Sequence, residues 1–194
     1  MIQPLDFLFR FICFAGCHSL LASDRCKQAL NQHLPGTTPW YRLSYNALSL
    51  ALFFWMMAGW PSAPVLYVIP GTWYLLLRGM QMALLIVAIR CLIQTGIADF
   101  IGFSASSVGT PLVTTGCYAR VRHPLYTLTI LFLLLEPAPS SKWLMLTLLS
   151  GAYCALASRW EEQRLILQHG ERYVTYQRAV PAFIPNRAAA KKMD

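Results

Sequence analysis

An all-α fold, a polytopic membrane helical bundle of about five transmembrane helices, is what this sequence predicts, and three observations carry that reading. Apolar residues make up 56% of the 194 residues and charged ones only 12%, with a mean hydropathy of +0.45, well outside the balance of a soluble domain. The apolar residues are gathered into long runs, and a helix needs roughly 20 of them to cross the hydrocarbon core. Basic residues stand at the ends of those runs and form no continuous stripe, so the formal charge of +8 points to phospholipid headgroups and away from nucleic acid.

The first span is expected from about Leu5 to Ala22. Asp6 and Arg10 stand where a secretory leader has its basic region, and no small-residue cleavage site follows, so this helix is expected to be retained. Ser23 to Trp40 forms a polar connection with Arg25, Lys27 and the turn sequence LPGTTP. A second span follows from about Tyr41 to Trp60, and the uncharged PSAPVLYVIPG, with prolines and aromatics, fits an interfacial turn. The third span covers about Thr72 to Ile93, and Asp99 to Gly116, rich in Gly, Ser and Thr, reads as an interfacial loop or short amphipathic helix capped by Asp99. Two shorter runs, Leu125 to Leu135 and Trp143 to Ser158, are separated by EPAPSSK.

These last runs hold 11 and 16 residues, or about 16 and 24 Å of helix against a core of about 30 Å. They predict a shallow helical hairpin, or helices whose polar ends continue beneath the membrane surface, and in either case residues 118–124 and 159–164 fall at one membrane face. Arg25, Lys27 and Arg42 flank the first loop, Arg90, Arg120 and Arg122 the third, and seven Lys or Arg lie from Arg159 onward, whereas the fourth loop has only Lys142. The positive-inside rule then puts the N-terminus outside and the C-terminus in the cytoplasm. The six cysteines show no CxxC and no zinc-like spacing, so reduced, packing cysteines and no metal site are expected.

The stretch YARVRHPLY, Tyr118 to Tyr126, carries the chemistry. A residue before proline is biased away from helical geometry, while proline is favoured as the first helical residue. A helix beginning at Pro124 with His123 at its N-cap exposes free N–H groups and a positive dipole end, an anion site strengthened by Arg120 and Arg122. At the far end of the hairpin, Glu161 and Glu162 point about 100° apart on a helix and so do not form a shared-proton dyad. One can face inward while the other pairs with Arg159 or Arg164, each three positions away. Cations and anions facing each other across a hairpin suit a zwitterionic ligand.

RHPLY, then EE, then GERYVTYQRAVPAFIP resembles the membrane methyltransferase family containing isoprenylcysteine carboxyl methyltransferase and phospholipid methyltransferases, whose signature is RHPxYxG followed by EE. The similarity covers roughly Asp99 to Pro185. It implies an S-adenosylmethionine pocket at the cytosolic membrane face, with Arg122, His123, Pro124, Tyr126, Glu161 and Glu162 as cofactor-binding residues and Tyr118, Arg159 and Tyr173 as neighbours. Arg159 and Glu162 are the residues expected to act in catalysis. The glycine of the signature is Leu128 here, which removes a close-approach point on the fourth span. Length and composition predict one integral membrane domain over 1–194, with three spans in 1–96 and a basic flexible tail in 186–194, and the resemblance makes 97–185 a methyltransferase-like region. Methyl transfer from a sulfonium is an in-line displacement in which charge diminishes, so positioning and desolvation can supply much of it.

The expected partners are the bilayer and a lipophilic or small methyl acceptor, whether carboxylate, thiol or amine, in a bacterial cytoplasmic membrane. Two residues outside the motif are candidate lining of a substrate cavity. Arg78 lies inside the third span, where charge is costly, although it is near enough to the helix start to snorkel outward. His18, in GCHSLLAS, is a cavity residue, a bundle hydrogen-bonding group or, in a different class of protein, a haem ligand. A sterol-reductase-like oxidoreductase shares an HPxY element, but EE further along the chain favours the methyl donor.

Overall fold

The computed structural model describes residues 2–23, 26, 29, 32, 38–96 and 112–185. Arg25, Lys27, residues 33–37 of the first connection, residues 97–111 with Asp99, and the basic tail 186–194 lie outside the described residues. Six α-helices are present among them: α1 (Ile2–Ala22), α2 (Thr38–Ala58), α3 (Thr72–Gln94), α4 (Pro124–Leu134), α5 (Ser141–His169) and α6 (Glu171–Ala179), with a short 3₁₀ helix, η1 (Gly116–Ala119), ahead of α4. No strand occurs among the described residues beyond the isolated bridge of Val65 with Ser140.

Among the described residues only α1 and α3 are long and apolar enough to cross a membrane, fewer than the five spans expected. The reasons are local. The described side chains of α2 give an apolar stretch over Leu43–Ala58, short of the length a span needs. The fourth apolar run makes a helix of 11 residues. The fifth lies in a helix of 29 residues that ends in the mostly polar SRWEEQRLILQH. Large apolar side chains such as Leu5, Phe9 and Ile12 of α1 and Leu75, Ile86 and Ile89 of α3 are exposed, the reverse of the burial they have in a soluble core.

The chain divides into two compact units, one with α1 and α2, the other running from Val65 through α3 and on to α6. In the first, ring pairs Phe9 with Trp55 at 6.4 Å, Phe14 with Phe53 at 5.9 Å and His18 with Tyr45 at 5.4 Å run up α1 and down α2, so the two helices are antiparallel. Arg10 is held within this pair by Asp6 at 2.8 Å and the Trp55 carbonyl at 2.9 Å, with its guanidinium over the Trp55 ring. His18 Nδ1 lies 3.2 Å from Ser49 Oγ and 3.3 Å from the Tyr45 hydroxyl. It stacks on Phe14.

In the second unit the two proline-rich loops pair with each other. Leu66 N donates to Pro139 O at 2.9 Å and Ile69 N to Pro137 O at 2.8 Å, so the segment read as a turn is extended and closes the α4–α5 end of the unit. Beside it, Arg78 makes a two-pronged pair with Glu136, 2.8 and 2.7 Å, and also donates to Gln81 at 2.8 Å and Tyr74 at 3.2 Å. Gln81 is fully buried and donates to Phe132 O at 3.0 Å. A guanidinium among apolar helices needs such a fork of partners. Arg78 therefore ties α3 to the C-terminal end of α4, the end opposite His123, and does not simply snorkel outward.

At the other end of α3 the structure corrects the cysteine reading. Cys91 and Cys117 form a disulfide with their Cα atoms 5.7 Å apart, while Cys13, Cys17, Cys26 and Cys154 are free. Their separation of 26 residues matches no framework spacing, so only the return of the chain to the end of α3 brings them together. Gly116 permits that return: its φ is +61°, and a Cβ there would lie 2.2 Å from the Gln94 side chain. Gln94 Oε1 instead accepts from Cys117 N at 3.1 Å.

Candidate functional site

The RHP turn follows η1 directly. His123 is the N-cap of α4, with φ −121° and ψ 63° and no side-chain cap, and Pro124 opens the helix, the arrangement the pre-proline bias favours. The turn is held by the chain beyond α6: Arg122 N donates to Pro181 O at 2.9 Å, His123 N to Ala182 O at 3.0 Å, and Thr127 Oγ1 to Phe183 O at 3.1 Å. The His123 ring packs against the Tyr126 ring at 5.5 Å, nearly parallel, and against Phe183 at 5.6 Å. This leaves His123 buried.

The hairpin brings the two glutamates to this histidine. His123 Nε2 meets Glu162 Oε1 at 3.0 Å and Nδ1 meets Glu161 Oε2 at 3.5 Å. Adjacent carboxylates diverge on α5, and the imidazole fills the angle between them. Glu162 Oε1 also accepts from Arg122 Nε at 2.8 Å and Nη2 at 2.7 Å, and its Oε2 accepts from Gln177 at 2.8 Å. Arg122 is the hub. It donates further to Gln177 O at 2.9 Å and to Val180 O, carbonyls at the C-terminal end of α6, where the helix dipole favours a cation. Arg122 thus clasps α5 to α6, and the partner of Glu162 is Arg122 rather than Arg159.

The electrostatics follow from these contacts. Burial works against the His123 imidazolium, but hydrogen bonds and charge from Glu161 and Glu162 outweigh it and raise the pKa above its ordinary value. Burial likewise opposes ionisation of Glu161, and His123, the neighbouring Tyr126 hydroxyl and Arg164 overcome it, so its pKa is lowered. Glu162 is lowered in the same way, against burial, by Arg122, His123 and Gln177. Burial and the charge of Glu161 push Tyr118 up to about 12, and burial and Glu162 do the same for Tyr173. Both phenols stay protonated and can donate.

A pH dependence follows with a definite sign. The raised histidine stabilises the fold fully below its unfolded value of about 6.5 and loses that contribution as pH rises through the folded value. The lowered carboxylates contribute above about 4.3 and lose their contribution as pH falls through their folded values. Thermal unfolding followed from pH 3 to 9 is expected to peak at about pH 5 to 6. In His123→Gln the fall on the alkaline side should be shallower; an identical alkaline limb would mean that His123 carries no linkage.

Arg122, His123, Tyr126, Glu161 and Glu162 thus form one cluster, with Pro124 buried beneath it. Tyr118 adjoins them: its carbonyl accepts from the Tyr176 hydroxyl at 2.6 Å. Tyr173 is buried on α6 beside Tyr176. Arg159 and Arg120 are exposed, Arg159 one turn before Glu162 on α5. Leu128 is half-buried in α4. His18 belongs to the first unit, and Arg78 is paired with Glu136 beyond the far end of α4.

Sequence reasoning missed Gln177, Phe183 and Thr127. A signal for Gln177 existed, since Tyr173, Tyr176, Gln177 and Val180 recur at helical spacing and share one face. Phe183 and Thr127 had none, because their roles depend on the segment after α6 folding back over the RHP turn.

The described residues are helical and bring the RHP turn and the two glutamates into one cluster, and the proteins that the chain is similar to are named as methyltransferases. Over 91 residues the chain is 35% identical to methanethiol S-methyltransferase 2 of Bradyrhizobium diazoefficiens, a match covering 47% of this chain and 34% of that protein. Over 78 residues it is 37% identical to methanethiol S-methyltransferase of Crocosphaera subtropica, covering 39% and 31%. The matched stretches therefore span about a third of the length of each relative. No protein-family model matches the chain, and no solved structure does.

Proposed function

We propose that this chain is an S-adenosylmethionine-dependent methyltransferase acting on a small thiol at the cytosolic face of the membrane. The observation that carries the reading is the joining of the RHP turn to Glu161 and Glu162 across the hairpin, in a chain similar to two proteins named as methanethiol S-methyltransferases.

The residues present fit such a ligand. Glu161 keeps 36% of its side chain exposed while its neighbour Glu162 is fully engaged, so Glu161 is the carboxylate available to an ammonium or to ribose hydroxyls. The start of α4, with no side-chain cap, and the exposed Arg120 offer donors to a carboxylate. When bound, S-adenosylmethionine supplies a methyl group on a cationic sulfur. Tyr126 and Phe183 flank His123 with their rings and keep water from it, which strengthens electrostatic binding and favours a displacement that loses charge. His123 has both ring nitrogens engaged and a raised pKa, so it serves as a fixed cation and not as the base. The acceptor is then taken as its thiolate, a small minority of a simple alkanethiol at neutral pH, and the exposed Arg159 supplies the charge that attracts and orients it.

Calorimetric titration of the detergent-purified chain with S-adenosylmethionine and S-adenosylhomocysteine tests the reading, alongside chromatographic detection of dimethyl sulfide from methanethiol. Binding with turnover is expected, and His123→Ala should lose both. If neither nucleoside binds the unsubstituted chain, the function is wrong. A methylated amine or carboxylate in place of dimethyl sulfide would overturn the thiol alone.

A further inference from the structure

The central charges of the cluster are paired within the chain. Glu162 Oε1 accepts from Arg122 Nε and Nη2 and from His123 Nε2, three donors on an oxygen with two lone pairs. A zwitterion can enter this cluster only by exchanging some of those internal bonds for its own. Beside the pair stands Tyr173, 1% exposed, whose hydroxyl is the buried side-chain polar atom left without a hydrogen-bond partner among the described residues. It feels the charges of Glu162, Arg122 and Glu161 and lies within reach of the Arg122 guanidinium, yet makes no well-formed hydrogen bond in this arrangement. Tyr176, its neighbour at 5.8 Å between ring centroids, is satisfied by the Tyr118 carbonyl. Native interiors rarely leave such a group unpaired, and those that do usually have a use for it.

We propose that Tyr173 is a positioning residue whose hydroxyl is the reserve partner of the Arg122–Glu162 pair, engaged when a zwitterionic nucleoside ligand draws hydrogen bonds away from that pair. The proposal rests on the methyltransferase reading. A ligand cation that competes for Glu162, or a ligand anion that competes for Arg122, leaves a lone pair or an N–H facing the phenol. A phenol can donate to the first and accept from the second. A bond made only in the bound arrangement favours that arrangement, whereas the unpaired hydroxyl is a cost to the unbound one.

The two effects have opposite signs, which separates positioning from packing. In the full chain, Tyr173→Phe is expected to weaken S-adenosylhomocysteine binding about five- to tenfold, the equivalent of one lost hydrogen bond. Its unfolding temperature without ligand should be unchanged or higher. Unchanged affinity beside intact binding by the parent overturns this proposal alone. Weaker binding together with a lower unfolding temperature also overturns it, since that is the mark of a packing role. No binding by the unsubstituted chain overturns the methyltransferase reading and this proposal with it.

Discussion

Glu162→Ala is expected to lose about 3 kcal/mol of stability, at the lower end of the range for breaking a buried ion pair, and to abolish nucleoside binding. The carboxylate receives Arg122, His123 and Gln177 together. Removing it leaves the Arg122 guanidinium, only 12% exposed, with carbonyl partners and no counter-charge. Because that guanidinium also holds Gln177 O and Val180 O, its loss of register carries to the segment that covers His123. Glu162→Gln keeps the shape and one acceptor oxygen, so it should fall between the two in both measurements. Thermal unfolding and calorimetry on the same preparations check this. An alanine variant that melts with the parent and binds within threefold of its affinity would show that Glu162 is not the keystone of the cluster.

Breaking the Cys91–Cys117 bond should be of comparable size. Loop-closure entropy for the separation of 26 residues comes to about 3.5 kcal/mol. The double substitution Cys91→Ala with Cys117→Ala is expected to lower the unfolding temperature and to remove all response to reductant, whereas the parent should be destabilised by dithiothreitol. The consequence reaches the site through η1. Cys117 opens the stretch that passes through Tyr118, whose carbonyl is tied to Tyr176, into Arg122 and His123, so the reduced protein should bind S-adenosylhomocysteine more weakly as well. Disulfides persist in oxidising compartments and are transient in the cytosol. Thiol alkylation in intact cells therefore also tests the cytosolic placement: a bond oxidised throughout growth would move this end of the chain to the other face.

The helical class and the meeting of the RHP turn with the two glutamates were legible because they rest on local rules. Long apolar runs specify helices wherever they fold, and His-Pro ahead of an apolar run specifies where a helix starts. Two short runs joined by a proline-rich turn return the chain to the face it left, and so YARVRHPLY and the two glutamates come together. The number of helices able to cross a membrane was less legible. Apolar runs can be counted in a sequence, but α4 is a short helix and α5 carries its run into a polar extension.

What the sequence determined by itself, then, is an all-α chain with a cationic turn and two carboxylates at one end of a hairpin. Tertiary structure alone decided the pairings: which glutamate Arg122 takes, what lies over His123, which cysteines join, and where Arg78 finds its counter-charge. Periodicity and capping act over a few residues, and the chain's own geometry enforces them. Arg122 reaches Glu162 across 40 residues and Val180 across 58, and Arg78 reaches Glu136 across 58. Contacts at such separations depend on where several helices stop and how the segments between them return, and no short stretch of sequence encodes that.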